Sequence, residues 1–343
     1  MPKTISEIAA ATGYSRTTIT LVLKGRAKTY RISEKAQDAI KAYVAEHGGY
    51  TINQTARNLK MKRSYTVGFV VPDLANAFFA NLIANLEVMC RSEDLVLITT
   101  SSGEDPDAEL KAINSMLGRG VDGLIIAPCS QKSLEAGLKR AKKTPLVAID
   151  RHYPAISVPF ISSNHTKSAC MITKTIAEHG CSQIAFLCGH PENPSIANRI
   201  QGFHDTAREA GLKDDDAIVL SVSDDSIEAG KQLAAELMGD QKSLPPAILC
   251  SSLLVLEGAM HQIKSQLGQV PPDLVIGTFD YDGLLEFLPN LVFAIKQDEG
   301  QLSRSMFSLL KSQMENEEMD EAHQIIDTSL VRLQCQSSQS EAI

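Results

Sequence analysis

The stretch TISEIAAATGYSRTTITLVLKGRAKTYRIS, Thr4 to Ser33, fixes the architecture of the start of the chain. Thr4 stands as an N-cap with Glu7 three residues later, the pattern in which two orphan backbone donors are satisfied reciprocally. Ile5, Ile8 and Ala9 then fall at helical spacing. Gly13 ends this helix and Ser15 caps a second, whose apolar stripe is Ile19, Val22 and Leu23. A third starts at the N-cap Ser33 and runs through Ala36, Ile40 and Val44 toward His47. Two short helices joined through T-G-Y-S have helix-turn-helix spacing, and three such helices can share one core.

With Ile19, Val22 and Leu23 turned inward, Arg16, Thr17, Thr20 and Leu21 are left on the outer face of the second helix. Arg16 can bond bidentately to guanine and Thr17 can reach a base or a phosphate, as a recognition helix requires. Charge supports this placement. Residues 1–65 hold twelve Lys or Arg against four acids, +8, on a chain whose net charge is −8, so the remainder carries −16. A basic head on an acidic body suits a head that meets polyanion. A merely solvated basic tail is the alternative, and helical periodicity argues against it.

From Tyr65 onward short apolar runs alternate with amphipathic segments: TVGFVVP, a helix over Ala77–Ser92, LVLITTS, a helix over Asp107–Leu117, GLIIAP, a helix over Ser133–Ala141, and PLVAID. The pattern restarts with PFISS, a helix over Lys167–His179, QIAFLCG, a helix over Ile200–Ala210, AIVLS, a helix over Ile227–Met238, AILCS and LVIGTFD. Such alternation predicts two α/β lobes, each a doubly wound parallel sheet. No P-loop, GxGxxG after the first strand, HExxH or GxSxG is present, so the usual catalytic signatures of α/β sheets are missing. A two-lobed body of this kind binds a ligand where strand ends meet. Seven scattered cysteines without CxxC spacing suggest reduced thiols rather than disulfides or a zinc site. No run reaches the roughly 20 apolar residues of a membrane span, and no secretory leader is visible at the N-terminus. The expectation is a cytoplasmic protein without cofactor or metal.

The segment TISEIAAATGYSRTTITLVLKGRAKTYRISEKAQDAI resembles the headpiece of the lactose-repressor (LacI/GalR) family of bacterial transcription factors. The likeness is nearest to the catabolite repressor/activator (fructose repressor) and sucrose operon repressor members, which similarly carry S-[RK]-x-T and a long G-[RK]-[AG]-K-x-x-R-[VI] loop, and it extends over nearly the whole chain. The resemblance implies a small all-α helix-turn-helix headpiece followed by a two-lobed periplasmic-binding-protein-like domain. It places Arg16, Thr17 and Leu21 at base-reading positions, with Ser15, Thr18, Lys28, Tyr30 and Arg31 completing the DNA face. Residues Asn53 to Leu59 resemble a hinge that folds on DNA: Asn53 and Ala56 join the contact, and Leu59 wedges into the minor groove and kinks the duplex. The family commonly has proline at Ile52.

Within the body, NRIQGF resembles R-x-x-G-[FW] and implies that Arg199 grips an effector's hydroxyls or anionic group. TFDYD resembles F-D-D, implying Asp280 as an acceptor for ligand hydroxyls, and AIKQD places Gln297 on a crossover between lobes. PDLANAFFANL resembles P-D-L-x-N-x-[FY], with Asn76 and Phe78 or Phe79 at the cleft edge; Arg151, Ser163 and Ser252 complete the implied effector site. Ser163 stands where the family commonly has aspartate, and Ser251 and Ser252 where it commonly has Asn-Asp. Losing acceptors and a negative charge favours a phosphorylated or otherwise anionic ligand, and the resemblance to the fructose-responsive members implies a fructose-type effector, fructose or fructose 1-phosphate. The expected domains are a headpiece over 1–48, a hinge over 49–65 and an effector and dimerisation domain over 66–343. Its first lobe is expected over about 66–162 plus 292–320 and its second over about 163–291 plus 321–335. The implied function is a regulator, normally a repressor of a sugar operon, that binds a pseudopalindromic double-stranded operator as a homodimer. The other reading of the body alone is a solute-binding protein of a sugar transport system.

Overall fold

The computed structural model describes residues 2–51, 63–241, 243–317 and 321–334. The chain divides into a unit ending at Ser64 and a second beginning at Tyr65.

In the first unit, helices α1 (Ile5–Thr12), α2 (Arg16–Leu23) and α3 (Glu34–Glu46) follow the cap residues read from the sequence. Thr4 and Glu7 form the reciprocal box: the Glu7 N–H donates to Thr4 Oγ1 at 3.3 Å, and the Thr4 N–H donates to Glu7 Oε2 at 2.8 Å. Gly13 closes α1 in the left-handed region at φ 74°, where a side chain would be strained. Ser15 and Ser33 accept the N–H groups of Thr18 and Ala36. Ile8, Ile19, Val22, Ala27 and Ile40 form the core, with Leu23, Tyr43 and Val44 packed around it. A parallel ladder between β1 (Lys3–Thr4) and β2 (Tyr50–Thr51) ties the start of this unit to the strand after α3.

The second unit is built on two six-stranded sheets among the described residues. In chain order the elements are β3 (Thr66–Val71), α4 (Ala77–Ser92), β4 (Val96–Ser101), α5 (Pro106–Gly118), β5 (Gly123–Ile126), α6 (Gln131–Ala141), β6 (Leu146–Ile149) and β7 (Phe160–Ser163). Then come α7 (His165–Glu178), β8 (Ile184–Cys188), α8 (Pro194–Glu209), β9 (Ala217–Ser221), α9 (Ile227–Met238), β10 (Ala247–Cys250), α10 (Leu253–Leu267) and β11 (Val275–Phe279). The described residues finish with β12 (Val292–Lys296), α11 (Glu299–Glu315), β13 (His323–Ile326) and β14 (Ser329–Leu333). The first sheet has the order β13-β7-β6-β5-β3-β4 and is parallel throughout. The second has the order β14-β12-β11-β10-β8-β9, with β14 antiparallel to β12. Central strands such as β5, β6 and β10 are buried at every residue, which is why they read as uninterrupted apolar runs.

Two lobe assignments are corrected. The pattern does not restart with PFISS: β7, inside the expected first lobe, pairs with β6, Phe160 opposite Ala148, and extends the first sheet. The segment over 292–296 does not return to the first lobe, because β12 pairs with β11 and the crossover follows it. Residues 323–326 belong to the first lobe through the pairing of β13 with β7. The chain therefore passes between lobes after Ser163, after Lys296 and after Ile326, and side chains link these passages. Ser163 Oγ donates to Gln297 Oε1 at 2.6 Å, Ser168 and Thr328 share a hydroxyl bond of 2.7 Å, and Lys167 Nζ donates to Asp327 Oδ2 at 2.6 Å.

In each sheet the strand order reverses direction beside the first strand of the lobe, between β3 and β5 and between β8 and β10. Ligands of open α/β sheets bind outside the carboxyl ends of strands at such points. Helices α4, α8 and α10 start there, capped by Asn76, Asn193 and Ser252.

Candidate nucleic-acid interface and ligand cleft

On the first unit, Arg16 and Thr17 are exposed at the N-terminal turn of α2, while Ile19 and Val22 face the core. Ser15 Oγ and Thr18 Oγ1 lie 2.8 Å apart and hold each other, so Thr18 closes the cap. Thr20 Oγ1 donates to the Arg16 carbonyl at 2.7 Å, which removes it from the outward set. Leu21 is half-buried. Buried Ala27 anchors the following loop, and the Ile32 N–H donates to the Ala27 carbonyl at 3.0 Å. The pinned loop leaves Lys28, Tyr30 and Arg31 exposed. These residues present cations, an aromatic ring and hydroxyls on one small unit, the inventory that phosphates and base edges require. Asn53, Ala56 and Leu59, together with Ile52, lie outside the described residues.

In the second unit, Asn76, Phe78, Phe79, Arg151, Arg199, Ser252, Asp280 and Gln297 all line one cavity of about 50 Å³ between the strand ends of the two lobes. Ser163 does not line it and instead positions Gln297. A cavity this size is far below the roughly 300–1,000 Å³ of small-molecule sites, because polar side chains reaching across from both lobes fill the space. A crevice of about 430 Å³ opens beside it and shares Asn76 and Asp280; its wall is mostly apolar, formed by leucines of α10 and the Leu284–Leu288 turn, with Glu257, His261 and Asp282 among them.

The network inside the cavity has two branches. In one, Arg199 Nε and a terminal nitrogen point at His165 Nδ1, at 3.3 and 3.2 Å, and His165 Nε2 lies 3.0 Å from Asp150 Oδ1. Arginine only donates, so Nδ1 must be the acceptor; the imidazole is therefore neutral and gives its Nε2 proton to Asp150. Burial lowers the His165 pKa and Arg199 lowers it further. Burial alone would raise the Asp150 pKa, but the neighbouring His165, Arg199 and Arg151 reverse this and hold the carboxyl well below its usual range. Ser195 Oγ adds a donor to Asp150 Oδ2 at 2.9 Å. Asp150 belongs to the first lobe, and its donors His165 and Ser195 sit on α7 and α8 of the second.

In the other branch, Gln297 takes the Ser163 hydroxyl on its oxygen and donates from Nε2 to Asp280 Oδ1 at 2.6 Å. Burial pushes the Asp280 carboxyl up to about 6, against the pull of Arg199. The Arg199 guanidinium lies 4.3 Å above the Phe279 ring and donates to the Ser251 carbonyl at 2.6 Å. The Ser251 hydroxyl in turn donates to Asp225 Oδ1 at 2.7 Å.

Arg199 reaches this position because α8 starts at Pro194, six residues before the expected Ile200, behind the cap of Asn193 on the Ser195 N–H. Gly202, one turn beyond Arg199, lets α8 meet α7 at van der Waals range: a Cβ there would stand 2.5 Å from the Thr166 carbonyl oxygen. Asp150, His165, Ser195, Asp225 and Ser251 were not among the residues expected from the sequence. One signal could have found Asp150: AID at 148–150 repeats the strand-end pattern of TFD at 278–280.

The model of the periplasmic binding protein domain matches residues 67–318. The chain belongs to the periplasmic binding protein domain family. Among members of that family and its relatives, the chain is 28% identical over 307 residues to the sucrose operon repressor of Klebsiella pneumoniae, covering 90% of this chain and 91% of the relative. It is similar to the Cra transcriptional dual regulator of Pseudomonas putida, solved in complex with fructose 1-phosphate, at 25% identity and a TM-score of 0.71, covering 78% of this chain and 98% of that one. The fold of a lac repressor dimer bound to operator extends over 96% of this chain and 98% of that one, with a TM-score of 0.81 at 22% identity. Relatives and neighbours of this periplasmic-binding-protein member are regulators of the LacI/GalR type, in accord with the headpiece motifs. No helix among the described residues is long and apolar enough to cross a membrane.

Proposed function

We propose that this chain is a sequence-specific DNA-binding transcriptional regulator, a cytoplasmic homodimer that represses a sugar utilisation operon and leaves its operator when a sugar or sugar phosphate binds the cleft. The observation that carries the regulator reading is the joining, in one chain, of a basic capped helix pair displaying Arg16 and Thr17 to a two-lobed body whose cleft converges on Arg199. A transport protein has no use for the first of these. The named relatives are regulators, and the cleft is assigned to binding rather than turnover. Asn53, Ala56 and Leu59 are assigned to the hinge contact, with Leu59 as the minor-groove wedge.

The proposed effector is fructose 1-phosphate or fructose. Arg199 supplies a forked cation, Asp280 and Asn76 supply groups for hydroxyls, and the capped helix starts supply N–H groups for an anion. A ligand of this size requires the lobes to separate from the arrangement described, turning about the three linked crossovers. It shifts the equilibrium only as far as its affinities for the two lobe arrangements differ. The test is fluorescence anisotropy on an operator selected from random duplexes, followed by titration of fructose 1-phosphate, fructose and unrelated purines. Selection of one palindromic sequence and its release by the fructose compounds supports the proposal. Selection without preference, or release by a purine alone, refutes it.

A further inference from the structure

Arg151 is among the residues that line the cleft cavity, yet its guanidinium fork is already occupied. It extends from the end of β6 across the carboxyl edge of the first sheet to Glu104, on the loop after β4. One terminal nitrogen donates to Glu104 Oε2 at 2.7 Å and to the Pro128 carbonyl at 3.3 Å; the other donates to Glu104 Oε1. The arginine side chain is 6% exposed and the glutamate side chain 40% exposed. The buried Arg151 Nε has no acceptor among the described residues.

We infer that Glu104 is a resident carboxylate occupying the anion position on Arg151, so that a phosphate-bearing ligand binds the cleft by exchanging with Glu104 while a neutral sugar leaves the pair intact. The inference rests on the reading of the cleft as the effector site. A bidentate carboxylate on a buried guanidinium can be replaced only by a group that offers matching acceptors and charge, because an unpartnered cation there would be strongly destabilising. A phosphate supplies three such oxygens. A sugar hydroxyl supplies a single neutral acceptor. The two partners differ in their freedom to move: Arg151 is enclosed, whereas Glu104 sits on an exposed loop and can turn its carboxylate into water without leaving a buried charge behind. Exchange therefore releases the glutamate and keeps the arginine in place.

The experiment is calorimetric titration of the full-length protein with inorganic phosphate, fructose 1-phosphate and fructose, comparing wild type, Glu104→Gln, Glu104→Ala and the double variant Glu104→Gln/Arg151→Lys. Glu104→Gln and Glu104→Ala are expected to bind inorganic phosphate at least tenfold more tightly than wild type, a change of about 1.4 kcal/mol. Fructose affinity is expected to stay within about twofold, and the double variant to lose the gain because lysine lacks the fork. Unchanged or weaker phosphate binding by both single variants overturns the inference and makes Glu104 a residue that merely positions Arg151. If the variants gain phosphate affinity but fructose 1-phosphate does not release operator from wild type, the exchange stands and the effector assignment falls. If fructose 1-phosphate releases wild type and the variants gain nothing, the assignment stands and the exchange falls.

Discussion

Asp150 and Asp280 occupy matching corners of the two sheets, each one residue past the end of a buried strand and each in the left-handed region at φ 69°. Aspartate tolerates this conformation better than most residues, and it turns the carboxyl from the strand end into the cleft. The equivalent backbone places the two groups in opposite electrostatic surroundings. Asp150 receives His165 and Ser195 and lies near two arginines, whereas Asp280 receives Gln297 and is dominated by its burial.

The two aspartates therefore contribute to stability in opposite pH windows. Asp280 has a raised folded pKa, about 6 against an ordinary 3.8, so its contribution is complete below the ordinary value and is lost as pH rises through about 6. Asp280→Asn is expected to stabilise the ligand-free protein by about 2 kcal/mol above pH 7, an advantage that shrinks below pH 6. Asp150 has a lowered pKa, so its contribution is present at neutral pH and lost only as pH falls below about 4. Asp150→Asn is expected to destabilise at pH 7 by about 1–3 kcal/mol. Urea denaturation at pH 5 and pH 7.5 checks this: the Asp280→Asn gain should be larger at pH 7.5 and the Asp150→Asn loss the same at both, whereas a pH-independent Asp280→Asn effect or a stabilising Asp150→Asn counts against the assignment.

On the headpiece, Arg16→Ala is expected to cost about 1–3 kcal/mol of operator binding and to relax preference at one base pair. Arg31→Ala is expected to weaken all duplexes alike and to reduce the salt dependence of binding by about one counterion. Anisotropy against a panel of single-base operator variants at two salt concentrations separates the two effects. An Arg16→Ala protein with unaltered sequence preference would show that α2 does not read bases.

Gly202→Ala is expected to lose about 1–3 kcal/mol of stability, because the added methyl meets the Thr166 backbone carbonyl rather than a yielding side chain. The same shift of α8 against α7 moves Arg199 relative to His165. Effector affinity should therefore fall more for Gly202→Ala than for Gly211→Ala, which lies in the turn beyond the helix with open space around it and costs stability only through its left-handed φ of 82°. Thermal melts and effector titrations on both variants make the comparison.

Ile19→Ala removes a fully buried side chain from the small core around Ile8 and Ile40. Large-to-small core changes cost about 2–5 kcal/mol, a large share of the stability of so small a unit. Operator binding should disappear while effector binding and the melting of the larger unit are preserved. Calorimetry showing a single shifted transition for the whole chain would contradict the independence of the two units.

The periodic parts of the fold were legible because burial imposes them locally. Thr4, Glu7, Gly13, Ser15 and Ser33 each act within a few residues, and the double-sided burial of β5, β6 and β10 writes itself as apolar runs. Lobe membership was not legible in this way. FISS and VFAIK have the same local character, and only pairing of β7 with β6 and of β12 with β11 decides which sheet each joins. The antiparallel β14 was missed for the same reason. In the cleft, Arg199, Asp280 and Gln297 stood in recognisable motifs, while His165, Ser195 and Glu104 are single polar residues whose role arises from a partner on another element.

The passage of the chain through both lobes also orders the birth of the molecule. The first sheet lacks β13, and the second lacks β12 and β14, until nearly the whole polypeptide has left the ribosome. Until then β7 and β12, covered on one side by β13 and β14 in the finished sheets, stand as bare edges or are absent, whereas the three helices of the headpiece precede both lobes in the chain. A stalled or truncated product that ends before residue 323 would thus display a finished DNA-facing unit on two lobes with open sheet edges, which are templates for aggregation.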